Sequence, residues 1–153
     1  MPSKPACRWR LPLHVGASVL LLAGAGCASP PTTATVAIPP IPPQQGRIWF
    51  YREIDTADVN TTTPYVRLNG AIAGVPDPGG AFYRDVPPGT YRITVDSEGN
   101  SPRPTQEVAL VAGQQIYARI GLGGSWNGQG FTITMEPGDV GHAAVEHSKF
   151  YGG

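Results

Sequence analysis

The sequence predicts an all-β fold, a small antiparallel β-sandwich of seven or eight short strands. Three observations lead there. Between residues 46 and 137, apolar and polar side chains alternate in short runs, the pattern of a strand with one face in a core and one in water. Turn chemistry separates the runs: Asn69-Gly70, Pro87-Pro88-Gly89 and the glycine-rich stretch at 123–130. No sustained helical period interrupts them, which argues against a parallel α/β architecture.

Ahead of this domain lies an address. Residues 1–10, "MPSKPACRWR", are short and positive, and residues 11–26, "LPLHVGASVLLLAGAG", are apolar and then small. That is the order of a secretory signal. Its 16-residue apolar stretch falls short of the ~20 residues that a spanning helix needs. Cys7 leaves with the signal, so Cys27 is the one cysteine of the exported chain. A thiol at the end of an apolar signal is placed for alkylation by lipid. "GAGC" resembles the bacterial lipobox, with Gly24 at the position three before the cysteine where an aliphatic residue is usual. The resemblance implies covalent acylation at Cys27, with membrane lipid as the first partner. Two or three acyl chains, palmitate among them, anchor stably where one does not. Ala28 follows the cysteine, which by the same resemblance points to the outer membrane, facing the periplasm. The alternative is ordinary cleavage after Ala25 or Ala28 and a soluble periplasmic product.

Residues 28–45, "ASPPTTATVAIPPIPPQQ", hold six prolines and no charge. With Cys27 they read as a lipidated, Pro-rich, disordered tether over 27–45. Extended at about 3.1 Å per residue, such a stretch reaches roughly 55 Å.

The sandwich follows over 46–137. "RIWFYRE" (47–53) puts Ile48 and Phe50 on one face and Trp49 and Tyr51 on the other. "YVRLNGAIAGV" (65–75) reads as a hairpin about Asn69-Gly70, whose residues accept positive φ. "GGAFYRDV" (79–86) is a strand, and after Pro87-Pro88-Gly89 the next one points Tyr91, Ile93 and Val95 inward and Arg92, Thr94 and Asp96 outward. "QEVALVAG", "QIYARIGL" and "GFTITMEP" supply the remaining strands. The tail, 138–153, suggests a short helix over 139–148, capped by Asp139 and packed through Val140, Ala144 and Val145.

"GRIWFYRE" with "YVRLNGAIAG", and then "FYRDVPPGTYRITV", resemble the opening and middle of an uncharacterised family of bacterial lipoproteins, a domain of unknown function. The second stretch is also similar to the Pro-Gly strand motif of PEGA-like and carboxypeptidase-regulatory-like β-sandwiches. The resemblance implies a sandwich displayed in the cell envelope. It brings no catalytic residue and no cofactor.

Charge and side-chain chemistry narrow the function. Without residues 1–26 the balance is 8 basic against 11 acidic residues, a net of −3, so nucleic acid is not an expected partner. Ser125 in "GLGGSWNGQG" is not in a nucleophile elbow, and no histidine stands between 46 and 137; no catalytic residue is assigned. His142, Glu146 and His147 occur as "HAAVEH". His142 and Glu146 share a helical face, but two ligands do not make a metal site, so none is assigned. Asp55, Asp58, Asp77 and Asp85 lie singly near turns without calcium-loop spacing. Trp126 and Asn127, at the tip of a Gly-rich hairpin, are the candidate ligand contacts: an aromatic flanked by glycine can stack on a sugar or insert into a partner. The opposing reading makes Trp126 a plug closing one end of the sandwich. The expectation is therefore a non-catalytic binding or structural module with an envelope protein or peptidoglycan as partner. A carbohydrate module using Trp126, or a metal-dependent accessory using the tail histidines, are the alternatives.

Overall fold

The computed structural model describes residues 29–55, 63–97, 103–123 and 130–153. Cys27, Ser125, Trp126 and Asn127, and Asp58 with its neighbours, lie outside the described residues.

The described chain is all-β, two sheets packed face to face. Strand β1 is Gly46–Tyr51, β2 Val66–Leu68, β3 Ala71–Gly74, β4 Gly80–Val86 and β5 Gly89–Val95. Strand β6 is Thr105–Leu110, β7 Gln115–Leu122 and β8 Phe131–Glu136; helix α1 is Gly138–His147 and β9 Lys149–Phe150. One sheet runs β8-β7-β1-β4-β9 and the other β3-β2-β5-β6. The strands predicted from alternation are all present. The hairpin β2–β3 turns at Asn69 and Gly70 with φ of 49° and 88°, the left-handed pair that a two-residue turn requires. Tyr91 donates its hydroxyl to Pro87 O at 2.7 Å and so fastens the Pro-Pro-Gly turn.

Two features depart from the expected antiparallel pair of sheets. β1 pairs antiparallel with β4 but parallel with β7, and the two-residue β9 adds parallel to β4. The first sheet is therefore mixed, and it is covered on both faces. Ile48, Phe50, Phe82, Ala118 and Ile120 meet Val66, Ile93, Val95 and Leu110 between the sheets. On the outer face Trp49, Tyr51, Ala81, Tyr83 and Tyr117 form a second cluster with Val145, Ile38, Ala144 and Phe150. All six residues of β1 are consequently buried. The alternation in β1 is between two cores rather than between core and water.

What covers the outer face is α1 and a segment read from sequence as free tether. The proline-rich stretch is docked from Pro31 onward. Pro31 O accepts from Phe150 N, Thr33 N donates to Ser148 O, and Thr32 bridges to Lys149. A single 3₁₀ turn, Thr33–Thr35, has its Thr33 buried, the hydroxyl donating to Ser148 O at 3.0 Å. The tether reading is corrected here for residues 31–45. Proline needs no ladder hydrogen bond and Ile38 supplies apolar area, so an uncharged Pro-rich strap can cover an aromatic surface without forming a strand.

Helix α1 keeps nearly the expected span and packs through Ala144 and Val145 as expected, but its cap differs and Val140 does not pack. Its N-cap is Pro137, with no side-chain cap, and Asp139 sits in the first turn, where its charge complements the helix dipole. Val140 is half-exposed, while Gly141 and Val145 face the sheet. A Cβ at Gly141 would collide with Cβ and Cγ of Tyr117, so the glycine that weakens the helix by propensity is what lets it approach.

The pairings also fix which ends lie together. Tyr51 is opposite Ala81 and Arg119, and Val66 is opposite Gly74 and Val95. A Cβ on Gly74 would touch the ring of Phe82, which brings the two sheets into alignment at this end. The start of the docked strap, the end of β1, the start of β4 and the end of β7 therefore share one end of the sandwich. The β6–β7 turn lies at the other, with Gly113 donating to Gln45 O beside the start of β1.

Candidate functional site

The strap, α1 and the outer face of the mixed sheet enclose a groove of about 370 Å³. Its apolar wall is Ile38, Pro39, Pro40, Ile41 and Val145, and its polar side is Arg47, Gln115, His142 and Glu146, with Trp49 between them. The strand periodicity builds it. Residues 47, 49 and 51 project to one face of β1, and Arg47 and Trp49 stand beside Gln115 and Tyr117 in the parallel register with β7.

Arg47 is the least ordinary residue in the groove. It is 3% exposed, and a buried cation is tolerated only when paired. Asp85, directly opposite in the β1–β4 register, accepts from Arg47 Nε at 2.7 Å and from Nη2 at 2.8 Å. The guanidinium carbon also sits 3.9 Å from the centre of the Tyr83 ring and 5.9 Å from that of Trp49, within the range of cation–π attraction. The hydrogen bonds from Arg47 to Asp85 hold the guanidinium above its already high pKa. Trp49 Nε1 donates to Gln115 Oε1 at 2.9 Å, and its ring meets Tyr83 edge-on at 4.9 Å. On α1, His142 Nε2 lies 3.4 Å from Glu146 Oε1, and His142 Nδ1 is 3.5 Å from the Tyr117 hydroxyl. Burial pushes the Tyr117 hydroxyl to a higher pKa.

These polar groups are already committed to one another. Arg47 belongs to Asp85, the Thr33 hydroxyl to a backbone carbonyl, and the indole N–H to Gln115. What the groove offers an incoming molecule is an aromatic and proline-lined slot beside a closed Arg47–Asp85 ion pair, which suits binding. His142 and Glu146 do come together as their spacing predicts, while His147 turns away and its Nδ1 contacts Ala143 O at 2.8 Å. Among the described residues no three His, Cys, Asp or Glu side chains gather.

Asp85 and Asp77 have separate roles. Asp85 is the partner of Arg47. Asp77 shapes the loop before β4, its carbonyl accepting from Gly80 N at 2.9 Å. Trp126 and Asn127 fall outside the described residues, although the hairpin that carries them is closed by Gly123 N donating to Gly130 O at 2.9 Å.

A second surface lies on the open face of the four-stranded sheet. Arg67, Asn69, Thr90, Arg92, Thr94, Arg103 and Glu107 line a shallow depression of about 660 Å³. Arg67 pairs with Asp96, Nη2 to Oδ2 at 2.9 Å, which holds the Asp96 carboxyl below the usual carboxylate range. Arg92 and Glu107 approach at 3.3 Å, both exposed.

Sequence reasoning missed the Arg47 groove. A signal was present: an arginine and an aspartate of opposite charge on strands each flanked by aromatics, "RIWFY" and "FYRD". Nothing in one strand says what covers its second face. No protein-family model matches the chain, and no curated protein matches it.

Proposed function

We propose that this chain is a membrane-anchored lipoprotein of the bacterial cell envelope, lipidated at Cys27, which displays a non-catalytic binding or structural module in the periplasm. The observation that carries the reading is the stretch "LLLAGAGC", an apolar run, small residues and then the exported chain's one cysteine. The all-β domain is of a kind that envelope proteins use for display, and the resemblance to PEGA-like sandwiches belongs to the same proposal. Binding fits the groove better than catalysis does, since its ionisable groups are engaged with one another.

The test is metabolic labelling with palmitate followed by mass spectrometry of the N-terminal peptide. Acyl mass at Cys27 and its loss in Cys27→Ala support the anchor; a free thiol, or a start at residue 26 or 29, ends it. Ligand class is read from tryptophan fluorescence. The exported chain has two tryptophans, Trp49 and Trp126, so the Trp126→Phe and Trp49→Phe variants separate groove from hairpin tip. Peptidoglycan fragments that change only the Trp49 signal place the ligand in the groove.

A further inference from the structure

We propose that the end of the sandwich where the strap begins rests on the lipid bilayer, with Ile54 and Tyr151 as its contact residues. The inference rests on the anchor at Cys27 and goes beyond it, because an anchor by itself says nothing about orientation.

The length of chain between lipid and fold is the first observation. The domain is pinned at Pro31, whose carbonyl accepts from Phe150 N at 2.8 Å. Four residue steps separate Pro31 from Cys27, and a fully extended chain of four residues reaches at most about 14 Å. That is less than the length of β1 alone, about 17 Å for six residues. The end carrying Pro31 is thus held within about one strand length of the lipid headgroups.

The second observation is what this end exposes. Ile54 is 75% exposed and lies over Gly79; Tyr151 is 41% exposed and lies over Gly80. Tyr65 and Val75, at the neighbouring ends of β2 and β3, are also exposed, at 49% and 36%. Four of the described chain's seven exposed large apolar side chains therefore gather at the leashed end. A tyrosine among aliphatic residues suits the headgroup boundary, its ring body in the apolar layer and its hydroxyl in water. An apolar cluster held so close to a bilayer by a covalent tie meets it at high effective concentration, so weak individual contacts suffice.

The experiment uses the full acylated chain in vesicles of phosphatidylethanolamine and phosphatidylglycerol that contain a nitroxide-labelled acyl chain. Ile54→Cys and Val111→Cys each provide a single reactive thiol for a fluorophore, since Cys27 is blocked by lipid. Both sites are exposed, at 75% and 61%, and they mark opposite ends, so neither label disturbs packing. Tyr151→Cys is a second reporter at the near end. Several-fold stronger quenching at 54 and 151 than at 111, in protein that floats with the vesicles, is the expected result. Equal quenching at the two ends, or stronger quenching at 111, in protein that still floats overturns the orientation and leaves the anchor standing. Protein that does not float and carries no acyl mass at Cys27 overturns both.

Discussion

Asp85 has one task at the scale of a side chain: it keeps Arg47 from being a buried unpaired charge. Removing one member of such a pair costs far more than the pair contributes, because the survivor stays desolvated. Asp85→Ala should destabilise the fold by about 3 kcal/mol, whereas Arg47→Met with Asp85→Leu should recover most of it; urea unfolding midpoints of the three variants measure this. Tyr51 makes a second residue-scale prediction. Burial, with Glu136 and Glu53 nearby, pushes its hydroxyl up to about 12. Unfolded tyrosine ionises near pH 10, so between about pH 10 and 12 the unfolded state holds fewer protons than the folded one and stability falls as pH rises. Tyrosinate absorbance should show a late-titrating tyrosine that appears together with unfolding, and Tyr51→Phe should flatten the alkaline limb of stability. Asp96 works in the opposite direction. Its carboxyl is held low by Arg67, so its contribution is present above the unfolded aspartate range and disappears as pH falls through the lowered value. In Asp96→Asn that acid-sensitive component should be missing from the stability–pH curve.

Helix α1 and the strap act as elements, each lending apolar surface that the other face of the mixed sheet needs. Alanine favours a helix over glycine by about 1 kcal/mol, yet at position 141 its methyl would overlap Tyr117. Overpacking of that kind costs about 1–3 kcal/mol, so Gly141→Ala should lower the melting temperature rather than raise it, as thermal circular dichroism would register. The helix was legible in the sequence because its length and its position after a proline are local signals. Its anchor was legible only in part. Val140 and Val145 are equally apolar on paper, and only the direction of the sheet decides that Val145 is buried. Strands β1 to β8 were legible for a similar reason: period-two alternation and turn residues such as Asn69-Gly70 are properties of the local chain, whereas the two-residue β9 carries no such pattern. The parallel partner of β1 was not, since alternation is the same whichever neighbour a strand takes.

For the whole molecule, the docked strap turns a two-layer sandwich into a core covered on three levels. Deleting residues 31–44 should expose Trp49 and Tyr83, shifting tryptophan emission to longer wavelength and lowering the unfolding midpoint, while the inter-sheet core of Ile48, Phe50 and Ile93 keeps the sheets together. The same deletion should abolish ligand response at Trp49, because Ile38, Pro39 and Pro40 form one wall of the groove.

By itself the sequence determined strands β1 to β8 and most of their inward residues, which follow from neighbours along the chain. Tertiary structure alone decided that Pro31–Gln45 is a strap, that Arg47 finds Asp85, and that His142 faces a groove. These depend on which surfaces meet. A proline-rich segment with few charges has the same composition whether it hangs in water or covers an aromatic face, and the free energy that separates the two states lies in the apolar area of the surface it meets.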